Sequence, residues 1–103
     1  MSRRLEMLEK LVAKGPEDPF PYYGLALEYR SAERLEDALR AFENLRAKFP
    51  NYVPQYLMAG QLCEKLGRKD AAKAWWEAGL AVAQGARDSH ALGELQGALA
   101  ALG

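Results

Sequence analysis

Apolar side chains recur along this chain every three or four residues, in blocks separated by proline and glycine. Tyr22, Leu25, Ala26 and Tyr29 are spaced three, one and three, which lines them along one face of a helix. Leu35, Ala38, Leu39, Phe42 and Leu45 repeat the pattern in residues 34–48. Tyr56, Ala59, Gly60 and Cys63 do so between about Pro54 and Leu66. Ala72, Trp76, Gly79 and Leu80 form the inward stripe of a helix from about Asp70 to Ala83. Leu92, Leu95, Leu99 and Leu102, spaced three, four and three, mark a last helix from about Asp88. Leu5, Leu8, Leu11 and Val12 make residues 3–14 helical as well. No segment alternates apolar and polar residues as a half-buried strand would. The pattern predicts about six helices and no sheet.

The boundaries carry their own chemistry. Asp18 before Pro19 is a helix start: aspartate caps the free N–H groups, and proline lacks the donor that would go unpaired there. Pro21 still lies in the first turn, where it costs little. Pro50 cannot continue a helix, and Gly67 suits the left-handed residue that commonly ends one. Gly85 is expected to stop the fifth helix. Glu17-Asp18 and Glu36-Asp37 stand at helix starts, where the helix dipole favours negative charge.

The punctuation is periodic. Ala47-Lys48-Phe49-Pro50 answers Ala13-Lys14-Gly15-Pro16 at an offset of 34 residues. Glu43 falls on Glu9 and Leu45 on Leu11 at that offset; Tyr22 falls on Tyr56, Ala38 on Ala72, and Phe42 on Trp76. Such a period implies helix pairs that each bury only part of their apolar surface and must stack on neighbours. The units run over residues 1–18 (a half-unit of one helix), 19–52, 53–86 and 87–103 (a capping helix), as one domain.

The first complete unit reads Tyr22-x2-Leu25-Ala26-x2-Tyr29, then Ala38-x3-Phe42, then Pro50. The second reads Tyr56-x2-Ala59-Gly60-x2-Cys63, then Ala72-x3-Trp76, with Gln84 where proline is usual. Both resemble the tetratricopeptide repeat, whose pattern is W-x2-L-G-x2-Y, A-x3-F and P on a 34-residue period. The resemblance covers residues 19–86. It implies an all-α fold: antiparallel helix-turn-helix repeats stacked as a short right-handed solenoid. In proteins of this family the first helices of successive repeats line a concave groove that holds a partner segment. Applied here, the groove would present Phe20, Tyr23, Leu27, Arg30 and Ser31 from the first unit. Leu57, Met58, Gln61, Glu64 and Lys65 would come from the second. Phe20, Tyr23, Leu27, Leu57 and Met58 are apolar where a solvated helix face would be polar, as binding surfaces often are. Some family members clamp a chaperone C-terminal carboxylate with Lys and Asn. Tyr23 and Leu27 stand where that clamp needs those residues, which disfavours it.

Composition narrows the alternatives. Lys plus Arg and Asp plus Glu both number 14, for a formal net charge of zero. A general nucleic-acid binder needs a basic excess, and attraction to anionic membranes likewise needs net positive charge. No run is long enough to span a bilayer, and Met1–Lys10 is too charged to be a signal peptide. The one cysteine, Cys63, allows no intrachain disulfide, which suits a cytoplasmic protein. Cys63 stands on a core face without a neighbouring base, as a small apolar residue does. His90 is the only histidine and has no convergent ligands, so it reads as a surface residue. Neither a phosphate loop nor a nucleophile motif is present. The expectation is a non-enzymatic scaffold for a protein or peptide, with no cofactor, metal or small-molecule substrate.

Three points stay open at the level of sequence. Trp76 matches the core aromatic of the repeat, whereas Trp75 either packs on a neighbouring helix or stands exposed as a contact anchor. Tyr52 is either a wedge at the joint or exposed. The first helix lacks the helix it would normally pair with. Met7, Leu8 and Leu11 are therefore either open, for assembly as a homo-oligomer, or turned onto the first repeat. A structural module that self-assembles through the N-terminal helix or through the exposed groove is the alternative to the peptide-binding scaffold.

Overall fold

The computed structural model describes residues 2–102. Among them are six helices and no strand: α1 (Arg3–Ala13), α2 (Pro19–Ser31), α3 (Leu35–Lys48), α4 (Pro54–Lys65), α5 (Lys69–Gly85) and α6 (Ser89–Leu102). This is the all-α helical repeat fold that the periodicity predicts. The chain divides into two compact units, Met1–Phe49 and Pro50–Gly103. The division falls at the proline that ends the first complete repeat pattern.

In the first unit α2 packs against both α1 and α3. Asp18 accepts from the Phe20 N–H at 3.0 Å and Pro19 opens α2, so the expected start signal operates as cap and first turn. Leu5, Leu8 and Leu25 form a buried cluster with Val12 and Tyr29 against it. Ala38 and Phe42 of α3 are fully buried, and the Tyr23 ring meets Phe42 edge-on at 6.3 Å. The small residue lets the helices approach; the aromatic fills the space beside it.

In the second unit α5 packs on both α4 and α6. Tyr56, Ala59 and Cys63 of α4 face Ala72 and Trp76 of α5, all buried. Trp76 depends on Gly60: a β-carbon there would lie 2.1 Å from the indole Nε1. That nitrogen instead donates to the Leu57 carbonyl at 3.2 Å. Gly79 is as tightly held, since a β-carbon would lie 2.6 Å from the Tyr56 Cβ. Burial also reaches Gln55, Leu62 and Ala83, which the stripe at motif spacing leaves out.

The two complete repeats use the same ties. Tyr22 Oη donates to the Pro16 carbonyl at 3.4 Å, and Tyr56 Oη to the Pro50 carbonyl at 2.5 Å. Each tyrosine thus anchors its helix to the proline six residues earlier in the chain. The turns after α2, α4 and α5 are also alike. Each has a left-handed centre: Glu33 (φ 62°), Gly67 (φ 77°) and Arg87 (φ 56°). After each centre an N–H reaches back five residues, Arg34 to Tyr29, Arg68 to Cys63 and Asp88 to Ala83, at 2.8–2.9 Å. These bonds satisfy carbonyls that the helix ends leave unpaired.

Several expectations are corrected. Gly85 does not stop α5; it is the last helical residue, and the left-handed position is Arg87. The helix ends where the Asp88-to-Ala83 bond closes the turn, and glycine costs little in a last, exposed turn. Leu80 is only half-buried, as are Leu92, Leu99 and Leu102 of α6, where Leu95 alone is buried. Helix α6 packs mainly on α5 and little on α4, so only part of its apolar stripe is covered.

Candidate functional site

The open faces follow from the buried ones. In α2 the buried arc is Tyr22, Leu25 and Ala26. Phe20, Leu27 and Ser31 lie on the opposite side of the helix by the 100° step, with Tyr23 and Arg30 at its margin. Phe20 is 67% exposed. Leu27 and Arg30 are half-buried. Tyr23 is half-buried through its contact with Phe42, so it shares the α2–α3 seam as well as the open face. Burial raises the Tyr23 phenol pKa, and the nearby Arg30 cation opposes that rise. The phenol is neutral at physiological pH, an apolar ring with a polar tip.

In α4 the buried arc is Gln55, Tyr56, Ala59, Gly60, Leu62 and Cys63. Its reverse side carries Leu57, Met58, Gln61, Glu64 and Lys65. Leu57 and Met58 are half-buried, and Gln61, Glu64 and Lys65 are exposed. Both helices therefore expose apolar side chains flanked by polar ones. The arrangement supplies area and a few hydrogen-bonding or charged groups. It supplies no convergent set of reactive groups: among the described residues no three His, Cys, Asp or Glu side chains come together as metal ligands.

The first helix is tied down rather than open along its whole stripe. Leu8 is buried, with the β-carbon position of Gly24 only 3.5 Å from its side chain. That corrects the expectation that Leu8 is available for self-association: the helix turns Leu5 and Leu8 onto α2. Met7 and Leu11 stay outside, 56% and 38% exposed. Arg4 pairs with Glu28 at 2.8 Å, and Tyr29 Oη donates to Glu9 at 2.5 Å. Arg34 lies 4.7 Å over the Tyr29 ring and bonds Asp37 at 2.8 Å. Arg40 also pairs with Asp37. Burial, and after it the Glu9 hydrogen bond, push the Tyr29 phenol up to about 12. The Arg34 and Arg40 hydrogen bonds hold Asp37 below the usual carboxylate range.

The remaining candidates are placed. Trp75 is buried, its ring 5.8 Å from Tyr56, so it is a packing residue and not an exposed anchor. Cys63 is fully buried. His90 is exposed beside Glu94 at 3.3 Å. Tyr52 is half-buried, and its carbonyl accepts from Gln55 Nε2 at 3.1 Å. The two proline ties were not foreseen, although Tyr22/Tyr56 and Pro16/Pro50 share the 34-residue offset. A hydroxyl reaching back six residues leaves no mark in apolar periodicity.

No family model matches the chain, and no curated protein does. Solved structures do. The crystal structure of a tetratricopeptide repeat domain protein from Salinibacter ruber is 36% identical, covers 82% of this chain and 96% of its own, and superposes with a TM-score of 0.78. The solution structure of a Salinibacter ruber tetratricopeptide repeat domain protein is 38% identical, covering 84% and 88%, with a TM-score of 0.80. A Bordetella parapertussis protein is 28% identical, covering 99% of this chain and 89% of its own, with a TM-score of 0.82. On the 36% and 38% identity to the two Salinibacter ruber domains, over 82% and 84% of its length, the chain belongs to the tetratricopeptide repeat family, a helical repeat module generally used for protein interaction. Among the described residues no helix is long and apolar enough to cross a membrane.

Proposed function

We propose that this protein is a non-enzymatic interaction scaffold that takes apolar-anchored partner segments on the open face of α2 in one unit and on the open face of α4 in the other. One observation carries the reading: the reverse side of α2 keeps Phe20 two-thirds exposed, and the reverse side of α4 carries Leu57 and Met58, both half-buried. Solitary exposed apolar residues are common. Tyr23 and Leu57, 34 residues apart, place large apolar side chains at equivalent positions of the two repeats, which supports a contact surface. Phe20, Tyr23, Leu27, Leu57 and Met58 supply area; Arg30, Gln61, Glu64 and Lys65 set orientation. The single buried cysteine suits a reducing compartment, and we place the protein in the cytoplasm.

The test starts from a partner recovered from native lysate and then purified. Its affinity for the wild type and for Leu57→Asp/Met58→Asp is compared by calorimetry. A loss of about tenfold or more is expected, since each buried apolar anchor is worth at least 1–2 kcal/mol. Equal affinities would sink the reading.

A further inference from the structure

We propose that the outer face of α1 is a second docking surface, and that it takes an acidic amphipathic helix of a partner protein. The inner arc of α1, Leu5, Leu8 and Val12, lies on α2. The outer arc carries Arg3, Met7, Lys10 and Lys14, spaced four, three and four, with Leu11 beside them. That spacing keeps them on one side, a stripe of about 16 Å at 1.5 Å per residue. Met7 and Leu11 are 56% and 38% exposed. The three cations are exposed too, and among the described residues no carboxylate pairs with them. The carboxylates nearest in sequence are otherwise placed. Glu9 accepts from Tyr29 on the inner side, Glu17 lies 3.8 Å from Lys48, and Glu6, exposed one turn from Arg3 and from Lys10, stands at the edge of the arc; farther along the chain, Glu28 holds Arg4. The chain as a whole is neutral, so this is a local concentration of positive charge around two apolar side chains.

The charge pattern selects the occupant. Two copies of this face do not fit each other. Laid antiparallel about a two-fold axis, Arg3 of one helix meets Lys14 of the other; laid parallel, each cation meets its own copy. Like charges set opposite one another oppose association. A lipid surface fits no better. A helix in the membrane interface buries a continuous apolar face, but here the continuous apolar face is occupied by α2 and cations stand at the centre of the outer arc. A partner helix with carboxylates at the same spacing meets all three cations, and one or two apolar side chains seat between Met7 and Leu11. Such a surface speeds and orients encounter more than it tightens binding.

The probe is a synthetic peptide of about 16 residues, with glutamates spaced to face the cations around a pair of leucines. A control peptide carries lysine at every glutamate. With the isotopically labelled full chain at low salt, the acidic peptide is expected to shift the amide signals of residues 3–14, and the lysine peptide is not. Affinity should fall about tenfold between low and physiological salt, the scale of a few exposed ion pairs. Lys10→Glu/Lys14→Glu should lose the acidic peptide and gain the lysine peptide, a gain that an unfolded variant cannot show. Failure of the acidic peptide to bind at millimolar concentration overturns the proposal, as does equal binding of both peptides or shifts centred on α2 and α4. Dimerisation through α1 in sedimentation, or tighter binding to anionic vesicles than to the peptide, overturns it in favour of a second copy or a lipid surface.

Discussion

Glu33 holds a left-handed backbone conformation that an L-residue with a side chain enters at a cost of about 1–2 kcal/mol. Thirty-four residues on, the same turn carries Gly67, which enters it freely. The bonds on either side are the same, so the turn geometry is imposed by the helix pair and not by the residue. Glu33→Gly should therefore raise the urea midpoint, with a gain of about 0.5–1 kcal/mol after the extra freedom of glycine in the unfolded chain is subtracted. Gly67→Ala should lower it by a comparable amount. If Glu33→Gly destabilises the protein, its left-handed backbone carries no strain worth relieving. The same comparison shows the reach of sequence reading at this scale. Gly67 could be read as a helix end because glycine advertises the conformation. Glu33 and Arg87 hold it without any such signal.

At the scale of elements, each helix pair rests on a large residue set against a small one. Phe42 is fully buried beneath Tyr23, and truncation to alanine should cost about 3–5 kcal/mol. That is a large share of the stability of a domain this size. Thermal denaturation of Phe42→Ala checks it; an unchanged midpoint would remove Phe42 from the core. The joint between α1 and α2 makes a prediction in pH. The Tyr29 phenol, ordinarily near 10.0, is held up to about 12 by burial and then by Glu9. Its neutral form is the one the fold favours. The contribution is therefore fully present below pH 10 and is lost as pH rises toward 12, because the unfolded chain ionises first. Absorbance at the phenolate band should show Tyr29 titrating late, as Tyr23 also does, and only the Tyr29 step should move earlier in Glu9→Gln. The fall in stability across that window should be shallower in Tyr29→Phe.

Across the whole molecule the two proposed surfaces differ in the physics of their contacts. The open faces of α2 and α4 offer apolar area, whose contribution changes little with salt. The outer face of α1 offers exposed cations, whose attraction is screened within about 8 Å at physiological ionic strength. The formal net charge is zero, so no long-range field masks the difference. Partner binding that survives high salt and is lost in Leu57→Asp/Met58→Asp belongs to the first surface. Binding that disappears with added salt and survives that substitution belongs to the second. Measuring one partner across a salt series, on wild type and variant together, separates them. Binding that answers to neither change would leave both assignments without support.

Helix number, the proline-marked boundaries and family were legible in the sequence because each rests on local chemistry repeated at a fixed interval. Apolar spacing marks the helices, Asp18-Pro19 and Pro50 mark the boundaries, and Tyr22, Phe42, Tyr56 and Trp76 mark the period. Tertiary structure decided the rest. Whether Trp75 packed or stood exposed depended on Tyr56 reaching it. Whether Leu8 was open depended on Gly24 leaving room beneath it, and that choice in turn pushed Met7, Lys10 and Lys14 outward. A helix stripe states which residues prefer burial. Only the neighbour that arrives determines how wide an arc is covered, and so which side chains are left to meet a partner.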